Sequence, residues 1–133
     1  MYSNTHMIRV RYAETDKMGF VYYGVYAQYY EVGRVELLRS MGISYKSLED
    51  LGFELPVIDF QIRYKKPAFY DDEITVITKL RNNPSSKLIF DYECFNDKKE
   101  LLNFGKVTLI FISSKTKKIC SSPKIFLDKL NSL

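Results

Sequence analysis

The hydrophobic and polar positions of this chain have a helical period in its first third and a strand period after it. A short alternation over residues 7–12 comes first and predicts a half-buried strand. Residues 24–41 then repeat apolar positions at steps of three and four, which predicts a helix of about five turns. Gly42 is a typical stop for it. The face expected to be buried consists of Tyr26, Tyr29, Tyr30, Gly33, Leu37 and Met41, and the residues expected on other faces are Glu31, Arg34 and Arg39.

After this helix a shorter one is predicted, with Ser44 as its N-cap, Ser47 three positions on and Gly52 at its end. The period then changes to two. Turn-forming residues divide the alternating region into four strands. The predicted strands cover residues 56–66, 74–80, 88–94 and 100–113.

Two features of these later segments predict how they are placed. The strand over 56–66 alternates strictly, so one of its faces is expected in solvent. The strand over 100–113 is apolar on both faces near its end, which indicates a central strand with a second cover, expected to be another subunit. Ser122 as N-cap and Pro123 as the first helical residue predict a short C-terminal helix.

The order strand, long helix and four strands predicts the α+β class. Its simplest arrangement is a five-stranded antiparallel sheet wrapped around one long helix. The chain has no internal repeat, low-complexity tract or linker, so a single domain over residues 1–133 is expected.

Composition narrows the function classes. The chain has 133 residues, is 46% hydrophobic and carries a formal net charge of +4 that is spread along its length, so nucleic-acid binding is not favoured. No apolar run is long enough to span a bilayer and no secretory signal is apparent, so a cytoplasmic location is expected. Cys94 and Cys120 are expected to be free thiols. No metal-ligand spacing is present, and His6 is the single histidine, so neither a metal site nor a Ser-His-Asp triad is expected.

The candidate chemistry lies in the loop over residues 13–19, between the first strand and the long helix. Asp16 in this loop precedes a helix N-terminus, where N–H groups are unpaired and the dipole end is positive. Those groups can polarise a carbonyl while the carboxylate attacks it or activates water. This pattern predicts a thioester hydrolase. Taken alone, Asp16 is more typical of a turn or of a helix cap than of a catalytic group.

Two motifs resemble the hotdog-fold acyl-CoA thioesterases, the family typified by 4-hydroxybenzoyl-CoA thioesterase, and the resemblance covers nearly the whole chain. They are Arg11-Tyr12-x-Glu14-Thr15-Asp16-x-x-Gly19-x-Val21-Tyr22-Tyr23-Gly24-x-Tyr26 and Tyr64-x-x-Pro67-Ala68-x-x-Asp71-Asp72. The resemblance implies that Asp16 is the catalytic carboxylate and that backbone N–H groups around Tyr23 and Gly24 hold the thioester oxygen. Many bacterial members carry His at the position of Tyr23, so a His-assisted step is not expected here.

The resemblance implies further site residues and partners. Tyr12 is a candidate for lining the acyl pocket, and Arg81 and Lys87 are candidates for holding coenzyme A phosphates. A helical carboxylate does the chemistry in another branch of the family, which makes Glu31 the reserve candidate. A homodimer or a homotetramer is expected.

The expected activity is hydrolysis of a fatty or aromatic acyl-CoA to the free acid and coenzyme A, without a cofactor and without a membrane span. An acyl-ACP thioesterase is the alternative enzyme. A non-catalytic acyl-thioester binder or scaffold is the alternative from another class.

Overall fold

The computed structural model describes residues 2–133, so Met1 of the predicted domain lies outside it. None of the helices that these residues form is both long and apolar enough to cross a membrane. The elements in chain order are β1 (Tyr2–Arg9), a 3₁₀ turn (Tyr12–Glu14), α1 (Val25–Ser40), α2 (Tyr45–Asp50), β2 (Phe53–Glu54), β3 (Val57–Tyr64), β4 (Glu73–Leu80), β5 (Lys87–Phe95), β6 (Leu101–Ile110), β7 (Ile112–Ser113) and α3 (Lys124–Asn131).

The main sheet has five antiparallel strands in the order β1-β4-β5-β6-β3, and β2 pairs with β7 in a small second sheet. The sheet packs against α1, as the α+β prediction requires. The alternating burial of β4 and β5 points every second side chain at the helix. The sheet and α1 therefore enclose one hydrophobic core.

The predicted buried face of α1 is confirmed, because all six of its residues are buried. Gly33 is the point of closest approach to the sheet. A Cβ at this position would lie 2.4 Å from Thr78 Oγ1 and 3.1 Å from Val76 Cγ1. The missing side chain therefore lets α1 lie directly on β4, which fixes the height of the helix above the sheet.

The first strand was predicted wrongly at both ends. It begins at Tyr2, and every residue from there to Arg9 pairs with β4. The residues Ser3–Thr5 are polar and show no apolar alternation, because β1 is an edge strand with one face exposed. At the other end the chain leaves the sheet before Tyr12, which enters the 3₁₀ turn.

Arg34 was also predicted wrongly, because it is buried rather than on a polar face of α1. Its Nε donates a hydrogen bond to Tyr45 Oη at 2.9 Å, so α2 covers this part of the helix. Burial acts to lower the Arg34 pKa, but the phenol groups of Tyr45 and Tyr92 outweigh that effect and raise it. The guanidinium therefore stays charged.

The C-terminal segment differs from the prediction at its cap and in its strand. Pro123, rather than Ser122, is the N-cap of α3, because its C=O accepts the Phe126 N–H at 3.0 Å. The Ser122 hydroxyl instead donates to the Ser85 carbonyl oxygen. The strand predicted over 100–113 is divided into β6 and β7 on either side of the buried Phe111.

The strand of the main sheet that is exposed on both faces is β3, not β6. Residues 107–110 of β6 are buried within the single chain, so the prediction that this strand is covered by a second subunit was wrong. In contrast, β3 is a sheet edge exposed on both faces, where one solvent face was predicted. Ile58 is 51% exposed and Phe60 39% exposed there.

Candidate active site

The loop that follows the 3₁₀ turn folds back on itself. Thr15 and Val21 form an antiparallel bridge across it. Inside the bridge, the Asp16 N–H donates to the Phe20 carbonyl at 2.8 Å and the Gly19 N–H donates to the Asp16 carbonyl at 3.0 Å. Gly19 has a φ of 87°, a conformation that favours glycine. The reversal fixes Asp16 at a defined place in the loop.

The two carboxylate oxygens of Asp16 have different surroundings. Oδ1 accepts the N–H groups of Met18 at 3.0 Å and Phe20 at 3.2 Å. Among residues 2–133, no donor forms a hydrogen bond with Oδ2. One oxygen therefore holds the loop, while the other is available to a substrate or a water molecule.

The start of α1 presents unpaired backbone donors. Gly24 is the N-cap, and the Val25 N–H donates to the Tyr22 carbonyl at 2.9 Å. Within the part of the chain that the structure describes, the N–H groups of Tyr23 and Gly24 have no acceptor. They sit at the positive end of a 16-residue helix, where a developing oxyanion is stabilised. Their assignment to the thioester oxygen stays a prediction.

A cavity of about 570 Å³ lies between the Asp16 loop, the start of α1 and the end of β3. It combines one carboxylate, a largely aromatic wall and three exposed lysines. The residues that line it are Asp16, Lys17, Met18, Phe20, Val21, Tyr22, Tyr23, Tyr26, Tyr64, Lys65, Lys66 and Pro67.

Four tyrosines of the cavity wall are held against one another. The rings of Tyr22 and Tyr23 lie 4.7 Å apart, and those of Tyr26 and Tyr64 lie 5.8 Å apart at 61°. The Tyr64 hydroxyl donates to the Tyr23 carbonyl at 2.9 Å, which ties β3 to the start of α1. Interaction with Tyr23 raises the Tyr22 pKa, to which the charge of Asp16 adds, and burial raises the pKa values of Tyr26 and Tyr64. Those three phenols therefore stay neutral at neutral pH.

Two of the predicted candidates lie outside this cavity. Tyr12 is 77% exposed, and its ring packs edge-on against Tyr70 at 5.3 Å. Glu31 is exposed on α1 and does not line the cavity. The structure thus brings Asp16 and Tyr23 to one cavity, with Gly24 next to Tyr23 but outside the lining, and it brings neither Tyr12 nor Glu31 there within one chain.

The predicted phosphate-binding residues lie elsewhere on the sheet. Arg81 lines a second cavity of about 350 Å³ and forms a two-point ion pair with Asp91, at 2.8 and 3.0 Å. This pair raises the Arg81 pKa. Lys87 is exposed at the start of β5. The basic side chains beside Asp16 are instead the lysines at 17, 65 and 66.

Sequence reasoning missed Tyr64 and Glu14 as parts of this region. Tyr64 was assigned only to the apolar face of a strand, although it opens the second motif and that motif could have pointed to the site. Glu14 stood in the first motif without a role, yet it is buried and accepts hydrogen bonds from Arg11 and Tyr29. The spacing Arg11-x-x-Glu14 matches a capping box, in which a Glu reaches back to the N-cap N–H.

Comparison with known proteins places the chain in a family. Residues 10–130 match the model of the thioesterase-like superfamily, and the chain belongs to it. The predicted hotdog fold is confirmed by a solved structure, the DHNA-CoA thioesterase from Staphylococcus aureus. That structure has a TM-score of 0.92 and 36% identity, over 99% of this chain and 89% of its own.

Two further relatives cover most of this chain. YneP of Bacillus subtilis (strain 168) is 39% identical over 101 residues, which are 76% of this chain and 73% of YneP. The acyl-CoA thioester hydrolase YbgC of Escherichia coli O6:H1 is 29% identical over 88% of this chain and 87% of its own length. With this family and fold, the chain is a thioester hydrolase.

Proposed function

We propose that this protein hydrolyses acyl-CoA thioesters, with Asp16 as the catalytic carboxylate and the N–H groups of Tyr23 and Gly24 as donors to the thioester oxygen. One observation carries the proposal: Asp16, which has a carboxylate oxygen without a hydrogen-bond partner, and Tyr23, whose amide is unpaired like that of the adjoining Gly24, line the same cavity. The names of YbgC and of the Staphylococcus aureus relative, which specify CoA thioesters, support coenzyme A as the carrier.

Asp16 can act in either of two ways. As a nucleophile, its oxygen adds to the carbonyl carbon, the C–S bond breaks, coenzyme A leaves as the thiolate, and water then hydrolyses the mixed anhydride. As a general base, it takes a proton from the water that attacks the carbonyl carbon, and the same C–S bond breaks. Both routes give one free acid and one coenzyme A. Both place negative charge on the thioester oxygen, where the two amides stabilise it.

For the acyl group we propose an aromatic acid rather than a long alkyl chain. The wall of the cavity contains four tyrosine rings, and aromatic rings pack on one another edge-on or offset at defined distances. The charges of Lys17 and Lys65 suit the phosphates of coenzyme A, whereas Lys66 also pairs with Glu100. Arg81 and Lys87, which lie outside this cavity, stay candidates for the same phosphates.

Thiol release from a panel of thioesters tests this function. The panel contains benzoyl-CoA, 4-hydroxybenzoyl-CoA, hexanoyl-CoA and palmitoyl-CoA, together with the same acyl groups on an acyl carrier protein. We expect the highest kcat/KM for the aromatic CoA esters, by about tenfold or more over the alkyl ones, since one or two well-packed ring contacts supply that much.

Other outcomes of the same panel identify the alternatives. Faster turnover of the carrier-protein esters would indicate that the natural substrate is bound to an acidic carrier protein rather than to coenzyme A. The lysines beside Asp16 would suit such a carrier too. Binding of the aromatic esters without release of any thiol would contradict an enzyme and indicate an acyl-thioester binder.

We also propose that the protein is a homodimer in which β3 pairs with β3 of a second copy. Eight residues of β3 have one unpaired edge, and unpaired edges with exposed apolar side chains readily join another strand. Antiparallel pairing about a twofold axis would extend the five strands to a continuous sheet through both copies. A homotetramer would need a second contact surface.

A further inference from the structure

The Glu14 carboxylate is buried beneath the 3₁₀ turn, and both of its oxygens are fully used. Oε1 accepts the Arg11 backbone N–H at 2.8 Å and the Tyr29 hydroxyl at 2.9 Å. Oε2 accepts Nε and Nη2 of Arg11 at 3.1 and 2.8 Å. Glu14 does not line the cavity, so it has no direct contact with a substrate there.

These bonds join three separate parts of the candidate active site. Arg11 follows the end of β1, and Tyr29 lies one turn into α1. The backbone of Glu14 adds a third link, because its carbonyl accepts the Tyr22 N–H at 2.9 Å. Tyr22 directly precedes the unpaired amide of Tyr23, and Asp16 lies two residues after Glu14. One residue therefore contacts the segments that hold the carboxylate and the amide donors.

The Glu14 side chain is ionised in this setting. Burial alone would raise its pKa, but the hydrogen bonds from Arg11 and Tyr29, with the charge of Arg11, more than offset burial and lower the pKa. An ionised carboxylate accepts hydrogen bonds at both oxygens, whereas a glutamine of the same shape would turn an NH₂ group toward donors. The four-donor arrangement therefore requires the carboxylate.

We propose that Glu14 is a positioning residue, which holds the Asp16 loop in register with the amide donors at the start of α1. This inference rests on the proposed function. Its physical basis is that displacement of a reacting group by about 1 Å can lower a rate by about 10²-fold. Glu14 should therefore affect kcat rather than KM, because the cavity wall binds substrate without contact to Glu14.

The test compares Glu14→Gln, Tyr29→Phe and the double variant by steady-state thiol release and by thermal unfolding. We expect Glu14→Gln to lower kcat by about 10- to 100-fold at a temperature where the variant is fully folded, while KM stays within about threefold of wild type. Because Tyr29 acts through Glu14, adding Tyr29→Phe to Glu14→Gln should lower kcat by no more than about a further twofold.

The matched control is Glu73→Gln. Glu73 is a half-buried carboxylate on β4 that pairs with Arg9 at 3.3 Å, so its loss removes a carboxylate–arginine pair outside this region. This variant should keep the wild-type kcat. A Glu14→Gln protein with a lower melting temperature but wild-type kcat would overturn the proposal, because Glu14 would then only stabilise the fold.

A second readout separates this proposal from the proposed function. In Glu14→Gln the Tyr22 N–H should exchange with solvent faster, and the amide signals of Asp16, Tyr23 and Gly24 should shift in NMR spectra. If the wild type releases no thiol but these changes occur, the catalytic function fails and the positioning of the loop stands. Unchanged exchange and unchanged signals would overturn the positioning role even in an active enzyme.

Discussion

Replacement of Asp16 by asparagine is expected to lower kcat by about 10²- to 10⁴-fold, the usual contribution of a general base, and by more if Asp16 is the nucleophile. The substitution removes the charge and the nucleophilic oxygen but keeps an acceptor, so the bonds from the Met18 and Phe20 N–H groups can persist. The loop and the cavity should then survive, and KM should change by less than about threefold. Steady-state thiol release and binding of a non-hydrolysable acyl-CoA analogue measure the two effects.

Asp72→Asn is the matched control for this substitution. Asp72 Oδ2 accepts the Phe69 N–H at 2.9 Å, so it holds a neighbouring turn as Asp16 Oδ1 holds its own. Asp72 does not line the cavity. If Asp16 were only a turn cap, both variants would turn over at similar rates. That outcome would remove Asp16 from the mechanism, and Glu31→Gln would be measured next.

Replacement of Ile58 by lysine is expected to convert a dimer of this protein into monomers. Burial of one isoleucine side chain in the interface stabilises the dimer by roughly 1.5–3 kcal/mol, and each substitution is present twice in a twofold-symmetric interface. The inserted ammonium groups add the cost of burying charge. Light scattering should give twice the 15.6 kDa of one chain for the wild type and the mass of one chain for the variant.

Thr5→Lys controls for the added charge. Thr5 is exposed on β1, the other edge strand of the sheet, so its substitution should leave the mass of the wild type unchanged. A wild type of 15.6 kDa at micromolar concentration would contradict the dimer, and dissociation by Thr5→Lys alone would place the contact on β1 rather than on β3. A mass four times that of one chain would indicate a tetramer.

The interior of the fold could be predicted because its signals are local. The strands β4 and β5 alternate strictly, and the buried face of α1 keeps steps of three and four. The local spacing of apolar residues is therefore enough to predict which of them are buried. The start of β1 carries no such signal, because Ser3–Thr5 is polar and becomes a strand only by pairing with β4. Arg34 is buried for a similar reason, since Tyr45 reaches it from α2.

The candidate site could be predicted only as far as its motif extends. Asp16, Tyr23 and Gly24 lie within nine residues, and Asp16 and Tyr23 line one cavity because the loop between them is short and reverses at Gly19. The role of Glu14 depends on Tyr29, which approaches from α1, a contact that no local spacing encodes. Tyr64 reaches the site from a strand 41 residues beyond Tyr23.

The place of Arg81 in the sequence does not show which group its side chain contacts. The resemblance makes Arg81 a candidate for coenzyme A phosphates, and it directly precedes the turn over residues 82–86. In the structure its guanidinium is paired with Asp91 across neighbouring strands. A ligand phosphate would have to share Arg81 with this carboxylate. Lys66 is likewise paired with Glu100, so Lys17 and Lys65 are the stronger candidates within the cavity.

The measurement that tests the central claim most directly is a crystal structure with a non-hydrolysable aryl ketone analogue of an acyl-CoA, in which a methylene group separates the sulfur from the carbonyl. The account predicts the ketone oxygen about 2.7–3.1 Å from the N–H nitrogen of Tyr23 or Gly24, with Asp16 Oδ2 facing the carbonyl carbon and the aryl ring among the tyrosines of the cavity. A ligand bound with its carbonyl away from Asp16, or in another cavity, would contradict it.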